Sequence, residues 1–356
     1  MSLSSLGWNA RFETAFAPHR AAGLTPARVA REDRDRYVVL DEGGARSAEL
    51  AGRLRHEARS RAELPAVGDW VALRPGAASS AVVHALLPRT SAFVRKVAGG
   101  NTEEQVVAAN VDTVFLVSGL DGDFNPRRIE RYLASAWDSG AEPVVVLNKA
   151  DLASDPGALI AATEAVAPGV AVVALSALEG RGVGTLARWL APGRTVALLG
   201  SSGVGKSTLV NALLGEPRQA TGGVREDDSR GRHTTTHREL VPLPGGALLL
   251  DTPGMRELQL WGDESGLGEA FPEIAELARR CRFRDCRHER EPGCEVLAAL
   301  ERGELDAERH ASWAKLQREL AWLAARQDAR ARSEAASKWK AISKSMKRHP
   351  KADRWR

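Results

Sequence analysis

Apolar and polar positions follow three different rules along the chain. Through residues 1–97 the apolar residues come in short runs, Arg28–Ala30, Arg36–Leu40, Asp69–Leu73 and Ala81–Leu86. Turn clusters such as Asp41-Glu42-Gly43-Gly44 and Arg74-Pro75-Gly76 cut them apart. Strands this short and this closely spaced predict a small all-β barrel of the OB type. From about residue 106 the runs become wholly apolar and alternate with helix-like stretches. Val111–Val117, Val144–Leu147, Val170–Leu175 and Thr195–Leu199 read as strands, and 126–137, 158–166 and 183–190 as helices. Asn125 is placed to cap the first of these helices, with Pro126 at its first position. Strands apolar on both faces with helices between them predict a parallel sheet covered on both sides. After residue 263 the spacing becomes helical, and Trp313, Leu316, Leu320 and Leu323 form one apolar face that packs on the body.

Length agrees with this division. At roughly 150 residues per domain, 356 residues make two or three domains. The expected parts are a small β-barrel at 1–97, an α/β domain at 98–262, and a mainly α domain at 263–356 that ends in a basic tail; the barrel's charge is compatible with RNA binding without requiring it. The tail, residues 330–356, holds ten Lys or Arg against Glu334 and Asp353, a local excess of +8, so with +4 for the whole chain the body before it sums to −4. A basic tail suits a polyanionic partner such as RNA, and equally a solvated terminus. Hydrophobic residues at 43% and charged residues at 27% exclude wholesale disorder. The opening residues have no apolar leader core, and no apolar run approaches 18 residues, which argues against secretion and against a membrane partner. The expected address is the cytoplasm.

Gly200-Ser201-Ser202-Gly203-Val204-Gly205-Lys206-Ser207 fits the G-x-x-x-x-G-K-[ST] phosphate loop, and Thr208 opens the helix-competent run to Leu214. Glycines let successive backbone N–H groups turn inward on phosphates, and the helix N-terminus adds its dipole. Lys206 would reach the β- and γ-phosphates, and the Ser207 hydroxyl would ligate Mg²⁺. A phosphate loop does not choose the base. Asn148-Lys149-Ala150-Asp151 does, because a carboxylate past a strand end accepts N1–H and N2–H of guanine, a donor pair adenine lacks. Asn148 is expected on the other base edge, the Lys149 stem over the ring, and a backbone N–H of Ser176-Ala177 at guanine O6. Asp251-Thr252-Pro253-Gly254 supplies D-x-x-G, with Asp251 on Mg²⁺ through water and the Gly254 N–H sensing the γ-phosphate. The polar stretch Gly231–His237 between them offers Thr235 as a switch residue that closes over Mg²⁺.

The order of these motifs is unusual. Ordinary small GTPases run phosphate loop, switch threonine, D-x-x-G, N-K-x-D, S-A, whereas here N-K-x-D and S-A come first. The expectation is a circularly permuted GTPase that turns over GTP to GDP. Its D-x-x-G segment leads directly into the C-terminal domain. A metabolic kinase on the same loop is disfavoured by the guanine motif, and a vestigial nucleotide site by intact Lys206, Ser207, Thr235 and Asp251.

All three cysteines lie within fourteen residues, and Cys281, Cys286, His288 and Cys294 make a full tetrahedral zinc set with no position left for a reacting water. A structural Zn²⁺ in a reducing compartment is the expectation. Six arginines, Arg279, Arg280, Arg282, Arg284, Arg287 and Arg290, surround it. They offset its charge, contact RNA phosphates, or do both.

With these motifs in place, the chain resembles the ribosome small-subunit-dependent GTPase A family (RsgA, YjeQ, EngC) over nearly its whole length. The resemblance rests on QVVAANVDTVFLV, NKAD, SSGVGKST, GRHTTT, DTPGMRE and CRFRDCRH…PGC. It implies a factor that binds the 30S subunit and 16S rRNA late in maturation through its barrel and zinc domain; for a factor that docks on the ribosome, a monomer is the default expectation. A permuted GTPase of the large subunit is the alternative. Met255 stands where Ras-like enzymes carry a water-orienting Gln, so slow intrinsic hydrolysis is expected. The resemblance implies that His233, beside Thr235, takes that part once the ribosome orders the loop. Arg232 as an internal arginine finger is a weaker option, and His237 has no assigned role.

Overall fold

The computed structural model describes residues 1–33, 36–75, 80–96, 104–217, 238–251 and 265–325. Five strands, β1 (Thr25–Asp33), β2 (Arg36–Asp41), β3 (Gly44–Leu50), β4 (Trp70–Pro75) and β5 (Ser80–Leu86), pair in the order β1-β2-β3-β5-β4 and back to β1. The β3–β5 pair is parallel and the rest antiparallel. Closure removes the open edges that a free five-stranded sheet would present. Alternate residues of β2 point inward, and Val29, Val39, Val71 and Val83 fill the barrel. This is the predicted barrel. Helix α1 (Ala10–Ala21) precedes it, capped by the Asn9 side chain, and seats Phe12 and Phe16 with Trp8 against Trp70. A short helix, α2 (Gly52–Glu57), bridges β3 and β4.

A hairpin of β6 (Ala92–Lys96) and β7 (Glu104–Ala109) follows, and the expected domain boundary at 97 falls in its connection, outside the described residues. Then come β8 (Thr113–Gly119), α3 (Pro126–Ser139), β9 (Glu142–Asn148), α4 (Pro156–Val166), β10 (Ala171–Ala174), β11 (Thr195–Leu199), α5 (Lys206–Leu214), β12 (Glu239–Pro242) and β13 (Leu248–Asp251). The sheet order is β12-β13-β11-β8-β9-β10, parallel except for β12. Every residue of β11, and all of β8 but Ser118, is buried, which is why these strands read as unbroken apolar runs. Strand β12 also meets β1 through Arg31 and Glu239, so barrel and sheet are hydrogen-bonded to one another. The segment expected as a helix over 183–190 is a 3₁₀ helix, Val183–Trp189.

The C-terminal part is helical: α6 (Ser265–Ala270), α7 (Pro272–Ala278), α8 (Glu295–Glu301) and α9 (residues 307–325). Trp313, Leu316, Leu320 and Leu323 are buried, as their spacing predicts. An ionic node fixes α9 on α3. Arg309 Nη1 lies 2.9 Å from Glu130 Oε1, and its other N–H groups go to Glu273, Val166 O and Ala270 O, with the guanidinium 4.5 Å above Phe271. A buried ion pair offsets its desolvation only when the remaining donors are satisfied, as they are here. No helix among the described residues is long and apolar enough to cross a membrane.

Candidate functional site

Strand order reverses between β11 and β8, and in an open α/β sheet such a reversal leaves a crevice beyond the carboxyl ends of the strands. The loop after β11 is the phosphate loop. A Cβ on Gly200 would stand 2.3 Å from Val117 O of β8, and one on Gly205 would stand 2.2 Å from Asn148 Nδ2 of β9. Gly205 also has φ +90°, a conformation that favours glycine. The two glycines thus let the loop close onto the ends of β8 and β9. Val204 is buried beneath it, Ser202 and Gly203 are exposed, and Ser207 and Thr208 lie in the first turn of α5. Lys206 Nζ donates to Gly200 O at 2.6 Å and to Ser201 O, which holds the ammonium across the loop.

The residues expected at the base follow β9 and β10. Asn148 is buried; its Nδ2 donates to Val204 O and its Oδ1 accepts from Ala177 N–H, each at 2.9 Å. It therefore ties three loops together, leaving one N–H for the base edge assigned to it. Ser176 N–H donates to Arg181 O, so both backbone donors of the Ser-Ala pair are engaged within the protein, and the pair serves first to brace Asn148. Lys149 has φ +62° and forms an ion pair with Asp121 of the loop after β8. Asp151 Oδ1 is buried and has no hydrogen-bond partner among the described residues. A buried carboxylate oxygen without a donor is costly unless a ligand supplies one. Asp251 ends β13, whose Leu250 pairs with Ala197 of β11, the strand that leads into the phosphate loop, and Ser207 follows that loop in α5. Both side chains offer the hard oxygen donors Mg²⁺ takes.

The second cluster lies between α7 and α9. The ligand atoms of Cys281, Cys286, His288 and Cys294 all fall within 4.8 Å of one another. Cys281 Sγ is 3.5 Å from His288 Nδ1 and 3.9 Å from Cys294 Sγ, and His288 Nδ1 is 3.3 Å from Cys294 Sγ. Zinc–sulfur bonds of about 2.3 Å set tetrahedral edges near 3.8 Å, so the donor set fits Zn²⁺. Desolvation and the neighbouring Cys294 sulfur push the Cys286 thiol up to about 12, a cost that a bound cation would reverse. The His288 ring stands 5.5 Å from that of Trp313, so α9 covers the cluster.

A family model described as RsgA GTPase matches residues 86–261. The small ribosomal subunit biogenesis GTPase RsgA of Opitutus terrae is 54% identical over the full length of both chains. The chain belongs to the RsgA GTPase family. A second RsgA-named relative, from Oceanobacillus iheyensis, is 47% identical over 91% of this chain and 93% of its own. The crystal structure of YjeQ from Thermotoga maritima superposes with a TM-score of 0.65 at 28% identity, covering 84% of this chain and 99% of that one. YloQ, a circularly permuted GTPase, superposes at 0.61 and 24% identity over 84% of this chain and 95% of its own, which supports the fold. An ABC transporter model also matches residues 185–348. That span takes in residues 200–207 but not Asn148, Asp151 or Ser176, which lie within the RsgA GTPase match.

Arg232, His233, Thr235, His237, Gly254 and Met255 lie outside the described residues, as does the basic tail. Sequence reasoning missed Asp121, Asp123, Arg128 and Tyr132, which border the RsgA-type nucleotide loops. Their one visible signal is the acidic Asp121-Gly122-Asp123 directly after a buried strand.

Proposed function

We propose that this chain hydrolyses GTP to GDP and phosphate in the cytoplasm as a factor in late maturation of the 30S subunit. It acts as a monomer, gripping 16S rRNA with the barrel (1–97) and the zinc module (263–356) on either side of the permuted GTPase domain (98–262). Family membership supports the reaction, and the names of the RsgA relatives support the small subunit over the large-subunit alternative. The observation that carries the guanine reading is the orphaned Asp151 Oδ1 at the end of β9, beside a glycine-shaped phosphate loop.

In this reading Asp151 accepts N1–H and N2–H of the base, Asn148 holds its loop against Val204, and the Lys149 stem covers the ring. The phosphate loop, Gly200 to Thr208, receives the phosphates on backbone N–H groups while Lys206 neutralises the β- and γ-oxygens. Mg²⁺, held by Ser207 and Thr235 and by Asp251 through water, would draw negative charge from those oxygens. Gly254 senses the γ-phosphate, and His233 orients the attacking water that Met255 cannot. The Cys281, Cys286, His288 and Cys294 zinc is structural.

The test is turnover by the purified protein alone, with 30S, and with 50S. A low intrinsic rate that rises at least about tenfold with 30S only is expected, since supplying missing transition-state groups is worth orders of magnitude. Equal rates in all three would take the ribosome out of the reading.

A further inference from the structure

Helix α3 stands between the two sites, and its polar residues divide accordingly. Arg127, Glu130 and Arg131 reach the C-terminal helices: Arg131 pairs with both carboxylate oxygens of Glu319 at 2.8 and 2.7 Å, and Arg127 meets Glu308 at 2.9 Å. Arg128 and Tyr132, one turn apart, reach the phosphate loop instead. Arg128 Nη1 is 2.6 Å from Ser201 Oγ, and the Tyr132 hydroxyl is 3.2 Å from the same atom. Arg128 is itself held by Asp123, whose two oxygens lie 2.6 and 3.0 Å from Nη1 and Nη2. That contact lowers the Asp123 carboxyl below the usual range.

We propose that Arg128 is a positioning residue of the phosphate loop, acting on nucleotide through Ser201. The proposal rests on the guanine-nucleotide reading above and adds a residue absent from the G-x-x-x-x-G-K-S pattern. A loop with Gly at 200, 203 and 205 has a large backbone entropy to lose, and its affinity for phosphate depends on how much is lost before the ligand arrives. Lys206 secures Ser201 from inside through the carbonyl, and Arg128 secures it from outside through the hydroxyl. Ser202 and Gly203, next in the loop, are exposed, so Ser201 is the last residue before the turn that packing can hold. A guanidinium bond to a hydroxyl is charge-assisted and directional. Because Asp123 balances the guanidinium, Arg128 works by geometry rather than as an extra positive charge near the phosphates.

The test is the dissociation rate of a fluorescent GDP from the full-length protein, with KM and kcat for GTP alongside. Arg128→Ala is expected to release GDP about three- to tenfold faster and to raise KM, while kcat at saturation stays within about twofold. Ser201→Ala should reproduce this, and the double variant should be no faster than the faster single one. Tyr132→Phe, which removes one neutral hydrogen bond, should give about twofold or less. Arg131→Ala loosens the same helix on its other contacts and should leave GDP release within about twofold.

Wild-type release rates in both Arg128→Ala and Ser201→Ala would overturn the proposal, as would single effects that multiply in the double variant. Equal acceleration by Arg128→Ala and Arg131→Ala would also overturn it, since general loosening of α3 would then account for the result. Should Arg128→Ala fold poorly, Ser201→Ala and Tyr132→Phe alone decide the matter. Wild-type protein that does not bind GDP at all would sink the nucleotide reading itself, an outcome distinguishable from failure of the Arg128 role.

Discussion

The loops at the ends of the parallel strands and the Cys/His loop at 281–294 are both short and polar, yet they are held in shape by different physics. Asn148, Gly200 and Asp251 stand at or just beyond the ends of parallel strands whose interiors are buried, and Ser176 follows the half-buried edge strand β10, so the sheet dictates where each loop begins. Residues 279–294 have no such frame. Only His288 and Cys294 among them are buried, and no strand or helix lies between α7 and α8. What order the segment has comes from a few hydrogen bonds. The Glu291 carboxylate accepts N–H groups of Arg287, Glu289 and Arg290 at 2.9–3.0 Å, which holds its pKa down at about 2. One site is shaped by its scaffold, and the other is expected to take its shape from a bound metal.

Removing zinc gives the largest effect. Structural zinc contributes about 10–16 kcal/mol of apparent binding free energy in small metal-folded peptides. Chelation should therefore raise amide hydrogen exchange across 281–294 by orders of magnitude, with the amides of β8, β9 and β11 still protected. Unchanged exchange in 281–294 would mean that Trp313 and the Glu291 bonds hold the loop alone. The comparison would then collapse into two scaffold-shaped sites.

Asp151→Asn probes the other side and should separate binding from stability. The carboxylate oxygen Oδ1 takes no bond from the described protein, so the substitution should change fold stability by no more than about 0.5 kcal/mol. GTP affinity should fall on the order of a hundredfold, because a site built for a donor pair rejects a base that leaves its polar groups unmatched. Xanthine nucleotides should gain in proportion. Unchanged guanine preference would remove the contact, and a large loss of stability would show that Asp151 is part of the scaffold.

The same contrast explains what could be read from the sequence. Strands buried on both faces leave continuous apolar runs, so β8, β9 and β11 were legible within a residue or two, and the motifs at their ends came with an address. The barrel was harder. Strand β3, Gly44–Leu50, carries no β-branched residue and buries only Ala48, so neither composition nor alternation marks it. Arg28 is wholly buried, donating to Gly68 O and Asn110 O at 3.0 Å and to Leu6 O, where a hydrophobic pattern predicts a surface cation. The Cys281, Cys286, His288 and Cys294 cluster was legible because cysteine spacing is a chemical signal that needs no sheet. Asp121, Arg128 and Tyr132 were not, since they meet Lys149 and Ser201 only through the fold.

The smallest effect concerns the join between the two regions, where α9 lies on α3. Arg131 lowers the Glu319 carboxyl from its ordinary 4.5, and Lys315 adds to the shift while desolvation opposes it. A carboxyl depressed in the folded state contributes stability that is fully present above the unfolded value. That contribution is lost as pH falls through the folded one. Both side chains are about 30% exposed, so water screens the pair and its worth at neutral pH is under about 1 kcal/mol. Wild type and Glu319→Gln should therefore differ slightly in chemical-denaturation stability at pH 7, and the difference should vanish as pH drops well below 4.5. The buried Glu130–Arg309 pair is common to both proteins and cancels in the comparison. A difference that persists unchanged into acid would mean that Glu319 acts through packing on α3 rather than through its charge. The join would then resemble the sheet, which holds by burial, more than the zinc loop, which holds by charge.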